Sequence, residues 1–325
     1  MLTGRFGVVL SALVFASALV AVPDAAGETP VSTVVAFDPQ HNEFPEGLAM
    51  TRRGDIVVSM AFTGEVRHID PAGRQRVLAT IPPAPGLLLG LTSPRPGLLY
   101  AALASSVAET HGVWAVTDDG QTRRIAALDP AGQPNGITTD CDGNGITTDC
   151  DGNIYVGDSL LGVVWRITPS GAVERWSGDP LLTPDPASGV GLGANGVLVR
   201  DGDVYVANTD RALVARIPIR ADGTAGPART YVADPRLLGA DDLAFDVRGN
   251  LYVTTDGLGN SLVRVTPAGR VGTIADQSDG LDYAAGMRFG SGQRDRATLF
   301  IANVGLNFGR PAVLAVDVGV SGFPG

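Results

Sequence analysis

A chain of 325 residues, 44% of them hydrophobic, is long enough for a large core, and its even spread of Gly and Pro favours one folded domain over a folded half and a disordered half. The formal net charge of −10, with no cluster of basic residues, excludes a nucleic-acid surface, because phosphate binding needs a concentrated positive field. No lysine occurs anywhere, so amine nucleophiles and Schiff bases are excluded too.

The first segment, 1–27, has Arg5 ahead of an apolar run over 6–22 and then Ala25-Ala26-Gly27. That is the layout of a secretory signal peptide, so the mature protein is expected at 28–325, secreted or otherwise extracytoplasmic. A retained anchor is the structural alternative, since the run is close to spanning length. With the leader removed, the reading is of a monomer acting on a small molecule, without a membrane partner.

Beyond it one phrase recurs: PEGLAMTRRGDIVVS from Pro45, NGITTDCDGNIYVGDS from Asn144, ANGVLVRDGDVYVANT from Ala194 and DDLAFDVRGNLYVTTD from Asp241. In each copy a polar residue opens a short apolar strand, a Gly/Asp/Asn turn follows, and a β-branched or aromatic strand comes next. Short strands with Gly-rich turns, repeating every roughly 40–50 residues, predict an all-β, six-bladed β-propeller with four strands per blade. Blade one covers about 44–81, with strands near 48–51, 55–60, 65–69 and 76–81. Blade two covers about 86–132, blades three to five end near 186, 238 and 283, and blade six starts at Ala284. The last blade is one strand short, and the β-branched run 31–37 is expected to complete it, closing the ring and removing an exposed sheet edge.

This topology puts the start of each inner strand and the loop between strands two and three on one face. The inner-strand openers Glu46, Asn144 (or Asn135), Asn195 and Asp241 all offer oxygen, whereas blades two and six open on Leu89 and Ala285. Two carboxylates and two amides converging on a narrow channel are costly without a cation. Hard oxygen donors point to Ca²⁺, with Mg²⁺, Mn²⁺ or Zn²⁺ as substitutes. A water-filled polar channel is the alternative. The second-to-third loops carry His111, Asp158, Asn208, Asp210, Asp256 and Asn303. Most of these read as turn formers, and His111 and Asp158 stand out as candidate substrate-binding residues.

Residues 135–143 and 144–152 are identical, NGITTDCDG twice. Nine is odd, so both copies cannot keep one pairing register, and one must leave the ladder. The spacing from Asn144 to Ile154 equals that from Glu46 to Ile56, which favours Asn144 in the channel; Asn135 there would move the insert to the opposite face. Cys141 and Cys150 are copies of one another, so pairing stays open. The calcium-loop-like string from Asp140 to Asp151 lacks flanking helices and reads as a turn. Gly157-Asp158-Ser159-Leu160 matches an esterase nucleophile motif without a downstream histidine. Gly189-Val-Gly191-Leu-Gly-Ala194 precedes a strand, not a helix, and reads as a blade linker.

At the PEG, NG, ANG and DDLAFD residues the chain resembles the senescence marker protein/gluconolactonase family of six-bladed propellers, over nearly all of its mature length. The resemblance implies a divalent cation held by Glu46, Asn144 or Asn135, Asn195 and Asp241. It implies lactone hydrolysis, with Asp241 also as catalytic base. Asp241-Asp242 is similar to the Asp-Asn pair of the related paraoxonases, which implies a substrate-side role for Asp242. The chain departs from the pattern in having no counterpart of the family's substrate-orienting Arg before the third-blade Asn. A metal-free propeller enzyme, of the strictosidine synthase-like or cyclising kind, and a non-catalytic binding propeller are the alternatives.

Overall fold

The computed structural model describes residues 31–81, 86–139, 151–188 and 190–323. Its first strand is β1 (Val31–Ala36), followed by blade one: β2 (Pro45–Met50), β3 (Ile56–Met60), β4 (Glu65–Ile69) and β5 (Gln75–Thr80). Blade two is β6 (Gly86–Arg95), β7 (Leu98–Ser105), β8 (Gly112–Thr117) and β9 (Thr122–Ala127). Blade three is β10 (Pro134–Thr139), β11 (Ile154–Asp158), β12 (Val163–Ile167) and β13 (Val173–Ser177). Blade four is β14 (Ala194–Arg200), β15 (Asp203–Asn208), β16 (Leu213–Pro218) and β17 (Arg229–Ala233). Blade five is β18 (Ala240–Phe245), β19 (Leu251–Thr255), β20 (Ser261–Val265) and β21 (Val271–Ala275). Blade six has β22 (Ala284–Phe289), β23 (Thr298–Asn303) and β24 (Ala312–Asp317), with β1 antiparallel to β24 as its outer strand. The N-terminal strand therefore closes the ring.

Six apolar clusters hold the blades together, one between each neighbouring pair. Val57 and Leu88 meet between blades one and two, and Val58 and Val313 between blades one and six. Each such side chain stabilises by about 1.5–3 kcal/mol on burial, against about 0.5–1.5 kcal/mol net for a hydrogen bond, so packing between blades dominates. Hydroxyls add register. Ser59 donates to the Leu89 carbonyl (2.5 Å), Ser159 to Ala194 (3.1 Å), Thr209 to Ala240 (3.0 Å) and Thr254 to Ala285 (2.7 Å), each tying a blade to the next inner strand.

Every inner strand breaks register with its partner near its start, between Pro45 and Leu48, Leu88 and Leu91, Pro134 and Ile137, Ala194 and Val197, Ala240 and Leu243, and Ala284 and Met287, and β6 breaks again between Thr92 and Arg95. The residues inside the breaks near the strand starts are Glu46-Gly47, Leu89-Gly90, Asn135-Gly136, Asn195-Gly196, Asp241-Asp242 and Ala285-Gly286. A bulge re-aims the side chain it carries, and here it carries every candidate ligand on a described strand. The glycine that follows is a steric necessity: a Cβ on Gly196 would lie 2.1 Å from the Asp241 carbonyl oxygen, and one on Gly90 2.3 Å from that of Asn135.

The chain returns after β24 to clamp the face opposite the bulges. Val247 donates to Ser321 (3.0 Å) and Phe323 to Phe245 (2.8 Å), and the Arg200 guanidinium lies 4.4 Å from the Phe245 ring and 4.5 Å from that of Phe323.

Candidate metal centre

The first copy of the duplication supplies inner strand β10: Asn135 sits in its bulge, and Thr139 pairs with Ile154. Asn144, which the spacing favours, lies outside the described residues, as do Cys141 and Cys150. The local reason is visible at the start of the strand. Pro134 opens it opposite Asp158, and the Gln133 amide donates to the Asp158 carboxylate (2.8 Å), so the chain arriving from blade two is already anchored at the first copy. The residues between Thr139 and Asp151, which link β10 to β11, lie outside the described residues.

Glu46, Asn135, Asp241 and Asp242 line one cavity of about 20 Å³ on the channel axis, with Arg288 and the bulge glycines completing its wall. That volume admits a single water or ion. Glu46 and Asp241 are both buried. Burial, reinforced by the charge of Asp242, pushes Glu46 up to about 8. Burial also holds Asp241 well above the usual carboxylate range, followed by the charges of Glu46, Asp256 and Asp242, with Asn195 pulling it back. Asn195 donates its Nδ2 to Thr209 Oγ1 (3.1 Å), while its buried Oδ1 has no partner. Asn135 is oriented in the same way, its Nδ2 lying 3.4 Å from Ser159 Oγ.

Asp242 is committed to internal bonds. It accepts from the amides of Leu243 (2.8 Å) and Met287 (2.9 Å) and pairs with Arg288 at 2.6 Å. Arg288 is the functional residue that sequence reasoning misses; it stands where the other inner strands carry Ala49, Thr92, Thr138, Leu198 and Ala244, and nothing in the repeat marks it. Its charge offsets that of Asp242, so Glu46 and Asp241 carry two uncompensated negative charges only when both are ionised, the state a bound cation would favour. Neither His111 nor Asp158 lines the cavity. Asp158 accepts from the amides of Gln133 and Leu161 and from Trp165 Nε1 (3.0 Å), which fixes its loop. His111 is fully buried, its Nδ1 takes the Ser105 amide (3.1 Å), and burial lowers its pKa. Asp256, raised to about 6 by burial, lies close enough to act on Asp241 through its charge.

These residues fit a hard divalent cation. Two buried carboxylates lack a counter-charge of their own when ionised, and a buried amide oxygen has no donor. Among the described residues no three His, Cys, Asp or Glu side chains form a metal cluster, so the candidate set depends on its amides.

No protein-family model matches the chain, and no curated protein does. Solved structures do match. A gluconolactonase from Xanthomonas campestris is 16% identical over 90% of this chain and 91% of its own, with a TM-score of 0.64. A regucalcin from Agrobacterium tumefaciens, described as a calcium-binding protein, is 14% identical over 86% of this chain and 91% of its own, at a TM-score of 0.61. The fold is that of the gluconolactonase and regucalcin propellers. A virginiamycin B lyase from Staphylococcus aureus is also similar, 16% identical over 89% of this chain and 99% of its own at a TM-score of 0.60. The architecture therefore does not select the chemistry, which has to be argued from the bulge residues.

Proposed function

We propose that the chain is an exported, monomeric, divalent-cation-dependent hydrolase of the lactonase type, opening a lactone or a related ester. The observation that carries this reading is the convergence of Glu46, Asn135 and Asp241 on one ion-sized cavity, with Asn195 and its unpartnered Oδ1 beside Asp241. Glu46, Asn135, Asn195 and Asp241 would hold the cation, Ca²⁺ before Mg²⁺, Mn²⁺ or Zn²⁺; when bound, it supplies polarisation of the ester carbonyl and stabilises charge developing on its oxygen.

The chain's own residues do the rest. Asp241 takes the proton from the attacking water as its oxygen bonds to the acyl carbon, and returns it to the ring oxygen when the acyl C–O bond breaks. One water is thereby added across one bond. Glu46 contributes charge, and the Asp242–Arg288 pair holds β18 against β22 so that Asp241 keeps its position. Asp241→Asn is expected to lower kcat by about 10²–10⁴ while the far-ultraviolet circular dichroism stays unchanged. Wild-type protein that turns over no lactone in the presence of any of these cations contradicts the reading.

A further inference from the structure

The face that carries the bulges holds most of the exposed large hydrophobic side chains of the described residues, at its loop tips. Among the described residues, eight of the eleven exposed large hydrophobic side chains lie on second-to-third or fourth-to-first connections, all on this face. Three of them flank the candidate ligands one by one. Phe62, 49% exposed, stacks edge-on against Phe44 at 5.4 Å, and Phe44 stands two residues before Glu46. Leu258, 45% exposed, would touch a Cβ placed on Gly239 at 3.2 Å, and Gly239 stands two residues before Asp241. Leu160, 48% exposed, follows Ser159, the hydroxyl partner of Asn135. Phe308 and Leu306 continue the rim on blade six.

Many polar side chains of the same loops are bound elsewhere, with His111 Nε2 and Asp210 Oδ1 as buried exceptions. Asp38, Asp179, Asp234 and Asp276 cap short 3-10 turns. Asn208 bonds Leu181, Thr183 and Arg211, while Asp210 accepts the amides of Asp185, Gly191 and Leu192. Asp282 accepts from Asn307 and Phe308. A polyhydroxylated ring placed over Glu46 and Asp241 would find few free donors or acceptors, whereas a hydrocarbon substituent would find three apolar side chains. The net charge of −10 also disfavours an anionic lipid surface as the occupant.

Resting on the lactonase reading for the reacting group, we propose that the substrate is a lactone or ester with an apolar substituent, read by Phe62, Leu160 and Leu258, and not a sugar lactone. Two series test it. The first is kcat/KM for a simple lactone, the same lactone with alkyl chains of increasing length, and a polyhydroxylated lactone of equal ring size. The second is calorimetric binding of the matching cyclic ketones, which bind without being hydrolysed. Both kcat/KM and ketone affinity are expected to rise about threefold to fourfold per added methylene over the first few, with the polyhydroxylated lactone poorest. Phe62→Ser with Leu258→Ser should flatten both slopes; the two side chains are half exposed, so the fold is retained.

Ketone affinity that rises with chain length while no lactone is hydrolysed would uphold the apolar specificity of the rim and sink the lactonase reading that supplies the reacting group. Hydrolysis with no chain-length slope, or with the polyhydroxylated lactone preferred, would overturn the inference alone. Binding to zwitterionic vesicles with no ketone slope would assign the rim to a lipid surface and overturn it as well.

Discussion

Glu46 and Asp241 occupy positions that favour their neutral forms when no cation is bound, and this has a definite sign in pH. A carboxylate whose folded-state pKa is raised from its ordinary value near 4.3 to about 8, as for Glu46, contributes stability that is complete below the unfolded value and is lost as pH rises through the folded one. Cation-free protein should therefore lose stability between about pH 4 and pH 8, and bound Ca²⁺ should cancel that loss. The increase in Tm on adding Ca²⁺ is expected to be larger at about pH 8 than at about pH 5, read by calorimetry at both; an increment independent of pH would argue that the ion binds elsewhere. Arg288 offers a second residue-scale test. Arg288→Met leaves Asp242 partly buried without its counter-charge and should cost about 2–3 kcal/mol in urea unfolding, with most of it recovered when Asp242→Asn is added.

At the scale of elements, the inner strands depend on the bulge more than on the hydrophobic pattern. Gly196→Ala would drive a Cβ to 2.1 Å from the Asp241 carbonyl oxygen, so a loss of about 1–3 kcal/mol in urea unfolding is expected, together with weaker cation binding because β14 and β18 must separate. The blades were legible because each second strand is a β-branched run after a Gly turn, and the candidate ligands because they put oxygen where Leu89 and Ala285 put carbon. The glycine after five of the six openers was equally present in the letters. Its meaning was not, because a close approach between strands far apart in sequence has no local signature. The choice between Asn135 and Asn144 was illegible for a plainer reason: both copies carry the same residues, and it is the tertiary contact of Gln133 with Asp158 that distinguishes them.

At the scale of the whole molecule, closure joins the chain's two ends. Val31 pairs with Val316 and Ala36 with Ala312, so β1 covers an edge that β24 would otherwise present to other chains. Removing β1 is expected to yield protein that associates, seen as concentration-dependent light scattering, whereas the chain with β1 stays monomeric. The run 31–37 signalled this closure through its β-branched residues and the missing sixth-blade strand. The C-terminal clamp, with Arg200 between Phe245 and Phe323, gave no comparable signal, since a cation between two rings from distant segments has no periodicity to read.

The most direct measurement is the metal content and Ca²⁺ affinity of purified wild-type protein beside Glu46→Gln and Asp241→Asn. One divalent ion per wild-type chain, bound at least tenfold more weakly by either variant, is the expected result. A wild-type chain that binds none at millimolar Ca²⁺, Mg²⁺ or Mn²⁺, or binds one as tightly after both substitutions, would contradict it.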